Sequence, residues 1–340
     1  MLIFLDAIIL LINLIYGEIT LRTEKKHRLV GYAEKYLGKN GKVAALFCSL
    51  FTLYGSILAY IIISGQFLNS LFSGYFGGNE FIYSLISFAF VSAGIYFDLR
   101  VVKRIESLMT VFLLIVMGMI FFKGLPFIKV DNLLFFNQSQ LFLPFGAILF
   151  SLGAMSAIPE LEHILKSDQK KIKSAVVFGN LIPLILYIVF VLVIIGTSGA
   201  ATSEEALSGF SLAIGDGVAT IGFGFGILAI ITSFLIIGVN LKEMFMYDYG
   251  IGKKLSWFLT CSIPLIIFAL GIRDFIEVIN FVGGIAGGLS GILVILIYLK
   301  IHNNPKLGDL KPAYQIKIPK IVLSLMIFVF VLGIVYQLVY

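Results

Sequence analysis

The chain has 340 residues, 59% of them hydrophobic and 13% charged, with a mean hydropathy of +1.04. No soluble domain of this size has that balance, so the sequence reads as an all-α, polytopic membrane protein. The net charge of +6 belongs to the loops rather than to a nucleic-acid footprint, and no nucleic-acid partner is expected. Cys48 and Cys261 lie inside apolar runs, and His27, His163 and His302 fall in polar connectors, so neither a disulfide framework nor a metal cluster is indicated.

A bilayer core of roughly 30 Å takes about 20 apolar residues per helix. On that measure ten spans are predicted, at about 2–20, 43–72, 81–97, 105–122, 141–166, 174–196, 218–247, 255–271, 275–299 and 319–339. The second and seventh are the longest, which predicts steep tilt or extension beyond the bilayer. Alternate connectors, starting with 21–42, together with Lys166, Lys242 and Lys320 of the adjoining spans, carry 22 of the 25 Lys and Arg residues. The positive-inside rule makes that set cytoplasmic. Ten spans then place both Met1 and Tyr340 outside, and Met1 opens directly into an apolar run. Two readings follow: a helix upstream of Met1 is missing, or the protein has ten spans. The first is the expectation adopted here.

Asp6, in the first span, is expected at the outer interface. The second span holds Tyr54 and Tyr60 in LYGSILAYIIISGQ. A phenol there can face a cavity and bond a carboxylate, or face a neighbouring helix.

The fifth span organises the chain. Its middle reads Ser151, Leu152, Gly153, Ala154, Met155, Ser156, with Pro159 close behind. Gly lets the backbone leave helical angles, and Pro removes a donor and clashes with the carbonyl four residues back. A helix interrupted at mid-membrane depth exposes N–H groups that suit a carboxylate and carbonyls that suit a cation. An amino-acid zwitterion presents both charges, so this segment is expected to grip one, with Phe150 as a side-chain wall. The competing reading is a proline kink that serves packing. Glu160 and Glu162 follow in the first turns of the inner half-helix, where the dipole favours them.

The seventh span carries adjacent hydroxyls, Thr232 and Ser233, in LAIITSFLIIGVN. Two hydroxyl oxygens with carbonyls nearby would make a Na⁺ site; the alternative is that each bonds a carbonyl of its own helix. Gly222, Gly224 and Gly226 lie inside this span with no preceding strand, which rejects a nucleotide loop. The ninth span holds Gly283, Gly284, Gly287, Gly288 and Gly291, spaced for close helix packing. With the broken fifth span opening a second repeat (141–299), residues 1–122 form the remainder of a first, and 319–339 is an added helix. In this alignment the two longest helices match. The whole chain is read as one transmembrane transporter domain.

Four segments in order resemble the amino acid/auxin permease family and its bacterial relatives for tyrosine, tryptophan and hydroxy amino acids. They are YGEITLRTEKKHRLVGYAEKYLGKNGK, LYGSILAYIIISGQFL, LFSLGAMSAIPELEHIL and AIITSFLIIGVNLKEMFMYDYG. The resemblance implies a leucine-transporter-like inverted-repeat fold and secondary transport of amino acids, aromatic or other neutral ones, in symport with H⁺ or Na⁺. It implies no cofactor, a multi-pass location in the cytoplasmic membrane, and alternating access. It places substrate contacts at Phe150, Ser151, Gly153 and Ala154, with Tyr60 added from the second span, and cation contacts at Thr232 and Ser233. The family's glycine-rich first helix has no counterpart here. The competing function is therefore a truncated, non-transporting remnant or partner subunit. A metal-ion transporter has only Met155 as a soft ligand, and an enzyme lacks any nucleophile–base constellation at one depth.

Overall fold

The computed structural model describes residues 1–24, 27–97, 102–134, 140–215, 217–247 and 249–339, with backbone alone at 102–107, 219 and 247. Lys25, Lys26 and Arg100 of the basic connectors, and Asp248 of the fourth family-like segment, lie outside the described residues. The described chain is helical without strands. Its helices are α1 (Leu2–Arg22), α2 (Leu29–Phe76), α3 (Glu80–Tyr96), α4 (Val102–Gly124), α5 (Phe145–Leu152), α6 (Ile158–Ile164), α7 (Ile172–Ser198), α8 (Leu207–Ile214), α9 (Val218–Tyr247), α10 (Lys253–Ala269), α11 (Phe275–Phe281), α12 (Gly288–Asn303) and α13 (Lys320–Val339).

Eight helical segments are long and apolar enough to cross a membrane. The spans expected at 81–97 and 255–271 are the 17-residue helices α3 and α10; at 1.5 Å per residue each reaches about 25 Å, short of a full crossing. Connector 21–42 is more ordered than expected. It carries a short helix that merges into α2 through Gly38, at φ 75° and ψ −161°. Only glycine takes that geometry without strain, and nothing lies within 4 Å of where a Cβ would sit. The connector 197–217 likewise contains α8, entered through Ala206 at φ 70°, a non-glycine residue in left-handed territory.

The chain forms two compact units: Met1–Thr52, Gln138–Ile185 and Ile279–Tyr340 make the first, and Leu53–Asn137 with Leu186–Val278 the second. Each draws on both halves of the sequence. In the first, α1 packs on α5, α6 and α12, and α13 covers α12. Small residues allow this closeness. A Cβ on Gly146 would stand 2.0 Å from the Asn280 carbonyl oxygen, and one on Gly283 2.0 Å from that of Gly146. The fully buried Phe145 ring occupies the space left by Gly333.

The last connector is tied to the end of α1. Arg22 O accepts from the amides of Asp309 (2.9 Å) and Leu310 (3.1 Å), the Ile316 amide donates to Glu18 Oε2 at 2.8 Å, and the Tyr314 hydroxyl donates to Leu14 O at 2.8 Å. Glu18, fully buried, is neutralised by Arg22 at 2.8 Å. Asp309 pairs with Lys35 and accepts from the Glu24 amide. The Lys35 ammonium and that amide hold the Asp309 carboxyl below the usual carboxylate range.

In the second unit, α9 is the common partner of α3, α4, α8 and α10. Phe67, Val116, Ile120, Val193, Phe210 and Phe223 belong to one apolar cluster. Tyr54 donates to Leu259 O at 3.2 Å, Trp257 Nε1 to Ser92 O at 2.8 Å, and the fully buried Lys242 ammonium to Ile95 O.

Two predictions follow from this packing. Gly283→Ala should lower stability by about 1–3 kcal/mol, read as a lower melting temperature of the purified protein; Gly179→Ala, whose Cβ position has nothing within 4 Å, should not. Because Asp309 is shifted downward, its tie to the α1 end is present above the unfolded carboxylate value and is lost as pH falls through the lowered folded one. The protection of the Asp309 and Leu310 amides from hydrogen exchange, taken relative to the intrinsic rate at each pH, should fall on acidification, and at neutral pH in Asp309→Asn.

Candidate functional site

The fifth span is broken where the sequence indicates. α5 ends at Leu152; Gly153 adopts φ −67°, ψ 87° and Ala154 φ −97°, ψ 8°. A 3₁₀ turn, Met155–Ala157, then leads into α6, with Pro159 in its first turn. Proline is tolerated there because the first-turn N–H groups have no helical acceptor. Turning the chain at Gly153 ends the α5 ladder, so the last carbonyls of α5 and the first amides of the following turn have no helical continuation. No side chain caps the 3₁₀ turn or α6. Glu160 stands in the first turn of α6, where the dipole favours it.

Around the break, Phe150 is half-buried and Ser151 and Gly153 are exposed, and the Ser151 hydroxyl donates to Ile148 O at 3.2 Å. A Cβ on Gly153 would crowd Leu149 O at 2.9 Å. Phe150, Ser151, Gly153 and Ala154 are therefore held together on one short interrupted segment of the first unit.

The segment is braced by a feature the sequence did not announce. Between α11 and α12 the chain forms a π-helical turn, Val282–Gly287, which packs directly on α5. Just before it, Asn280 Oδ1 accepts from the Ala147 amide at 2.7 Å. That amide is in the first turn of α5, whose own N-cap, Pro144, offers no side-chain cap. Asn280 thus supplies from a second helix the cap that α5 lacks. Of the ninth-span glycines, Gly283 and Gly287 face α5, while Gly284, Gly288 and Gly291 face α13.

In the second unit, Tyr60 on α2 lies against Ser233 on α9, its ring 6.2 Å from that of Phe234. The structure brings these two predicted residues together. The Thr232 hydroxyl donates to Ala229 O at 2.9 Å, within its own helix. A hydroxyl that donates its hydrogen keeps its lone pairs, so this bond leaves an oxygen able to meet a cation.

Asp6 is buried within the protein, 2% exposed, and Asn180 Nδ2 donates to its Oδ1 at 2.6 Å. Asn13 Nδ2 donates in turn to Asn180 Oδ1 at 2.9 Å. The available signal was Asp6 and Asn13 seven residues apart on one helix face, matched by a lone Asn180 in the apolar α7.

A family model described as the tryptophan/tyrosine permease family matches residues 1–339. The chain belongs to that family. It is a permease and not an enzyme. It is 26% identical over 280 residues to the "Tyrosine-specific transport system 1" of Haemophilus influenzae, covering 76% of this chain and 68% of that protein. It is 24% identical over 303 residues to "Glutamine transporter 2" of Aliivibrio fischeri, covering 85% and 74%. The long apolar helices of this permease make it an integral membrane protein.

The brace on the break is testable. Asn280→Leu leaves the Ala147 amide without its acceptor, and should destabilise the permease by about 1–2 kcal/mol, measured as a lowered melting temperature, whereas Asn280→Asp, which keeps an acceptor, should lose less.

Proposed function

We propose that the protein moves amino acids across the cytoplasmic membrane by secondary transport, in symport with H⁺ or Na⁺ and by alternating access. The observation that carries this is the interruption at Gly153–Ala154 in a member of a permease family. The opened carbonyls and amides on the two sides of such a break match the ammonium and carboxylate of a zwitterion. Phe150, Ser151, Gly153 and Ala154 are the substrate contacts of this reading, with Tyr60 as a further one. Thr232 and Ser233 are the cation contacts, for which hydroxyl oxygens are suitable hard ligands. The relatives named for tyrosine and for glutamine favour neutral amino acids, aromatic ones included. The reading carries with it a leucine-transporter-like inverted repeat, with 1–122 and 141–299 as its halves and 319–339 outside them.

The test is uptake of radiolabelled L-tyrosine, L-tryptophan and L-glutamine into proteoliposomes under imposed proton or sodium gradients. Saturable uptake of at least one is expected. Ser151→Ala and Gly153→Ala should each reduce it by about tenfold, equivalent to losing about 1.4 kcal/mol of binding. Thr232→Val should weaken a sodium dependence while leaving substrate binding without the gradient in place. No saturable uptake of any of the three with either gradient would overturn the reading.

A further inference from the structure

We infer that Asp6, Asn180 and Asn13 form a proton-responsive amide relay within the first unit, with the Asp6 carboxyl as its proton site and Asn13 as its output. This deepens the transport reading and rests on it. The three side chains are 2%, 4% and 1% exposed and joined end to end by bonds of 2.6 and 2.9 Å. An ionisable residue kept inside an apolar helix is costly to retain and marks a functional site by default.

The direction of the chain depends on the charge of Asp6. An ionised carboxylate only accepts, so Asn180 turns its amide nitrogen to Asp6 and its oxygen to Asn13. Asn13 then turns its nitrogen to Asn180, and its own Oδ1 is left buried with no hydrogen-bond partner among the described residues. Such an orphan acceptor calls for a donor. When a proton from the aqueous phase forms an O–H bond on Asp6, that carboxylic acid can donate to the Asn180 oxygen. Asn180 then presents its nitrogen to Asn13, and the free end of the relay becomes the Asn13 amide nitrogen. One proton thus converts the far end from acceptor to donor. The proton leaves to the opposite aqueous phase when the chain reverts, and no other bond is made or broken.

The far end lies on a helix that packs on the broken span. α1 packs on both α5 and α6, and the Cβ position of Gly17 meets Tyr314 and, at 3.7 Å, Ile158 at the start of α6. Asn13 is one turn back along α1 from that contact, about 6 Å.

The ionisable groups of the packed elements are elsewhere. α5 has none, and α12 has Tyr298, Lys300 and His302 only in its last turns. α6 has Glu160, Glu162 and His163, beyond the Ile158–Gly17 contact. On α1 itself Tyr16 stands one turn beyond Asn13, with Glu18 and Arg22 further on, and on α7 Lys173 and Tyr187 stand two turns to either side of Asn180.

The experiment combines two readouts on the purified full chain in lipid nanodiscs. Infrared difference spectra across an acid titration should show a protonated-carboxyl band in the wild type that is missing in Asp6→Asn and retained in Asn13→Leu. Binding of labelled L-tyrosine should change by about tenfold over the same titration in the wild type, and by less than about twofold in Asp6→Asn and Asn13→Leu. A wild-type spectrum with no band removed by Asp6→Asn overturns the proton site. Unchanged pH dependence of binding in Asn13→Leu overturns the relay, and decides alone if Asp6→Asn does not fold. Absence of L-tyrosine binding at every pH counts against the transport reading for that substrate, while the infrared arm still judges Asp6.

Discussion

In hydrocarbon an unpartnered backbone amide or carbonyl costs several kcal/mol, and the turn at Gly153–Ala154 opens several at once. The rest of the first unit is arranged so that this opening survives. Asn280 caps the start of α5 from outside, and Gly146 and Gly283 let the π-helical turn lie against α5 backbone to backbone. Phe145 is locked into the gap at Gly333. The groups left open are those at the break itself, while the rest of α5 is tied down on two faces. π-Helical turns are found mostly as local insertions at functional places in helices, and this one sits against the interrupted segment.

The sequence made the helices and the break legible because both rest on local chemistry. Runs of about 20 apolar residues place the long helices, and Gly153 followed by Pro159 allows one interruption and one helix start. What it left illegible depends on partners far along the chain. Asn280 is 133 residues from Ala147, and nothing near either residue announces the pairing. The partner of Asp6 was illegible for the same reason: Asn180 stands 174 residues away. Gly38 was visible as a residue and not as a corner, because a single glycine in a basic connector is compatible with many turns.

The candidate residues sort by how much the fold adds to them. Phe150, Ser151, Gly153 and Ala154 are contiguous, so sequence alone groups them, and the structure contributes the conformation. Tyr60 and Ser233 are far apart in sequence, and packing of α2 on α9 makes them neighbours. Thr232 bonds within its own helix, which was the alternative reading of the hydroxyl pair. That bond fixes the orientation of its oxygen without consuming its lone pairs, so local satisfaction and ligation are compatible for a hydroxyl in a way they are not for an N–H donor.

Polar groups within the first unit are segregated along α1, and that segregation explains why its two carboxylates differ. Glu18 is fully buried yet surrounded by compensation: Arg22 one turn on, the Ile316 amide, and His302 at 3.6 Å. These bonds tie the last connector to α1. Asp6 has one amide donor and no cation among the described residues. A buried charge held by a full set of donors is a fixed structural element. One held by a single amide, itself able to turn over and bond equally well to the protonated acid, has two arrangements of nearly matched hydrogen bonding. Two arrangements of that kind are what a coupling element requires, and here the amide that would turn is Asn180 of α7, set between Asp6 and Asn13 of α1.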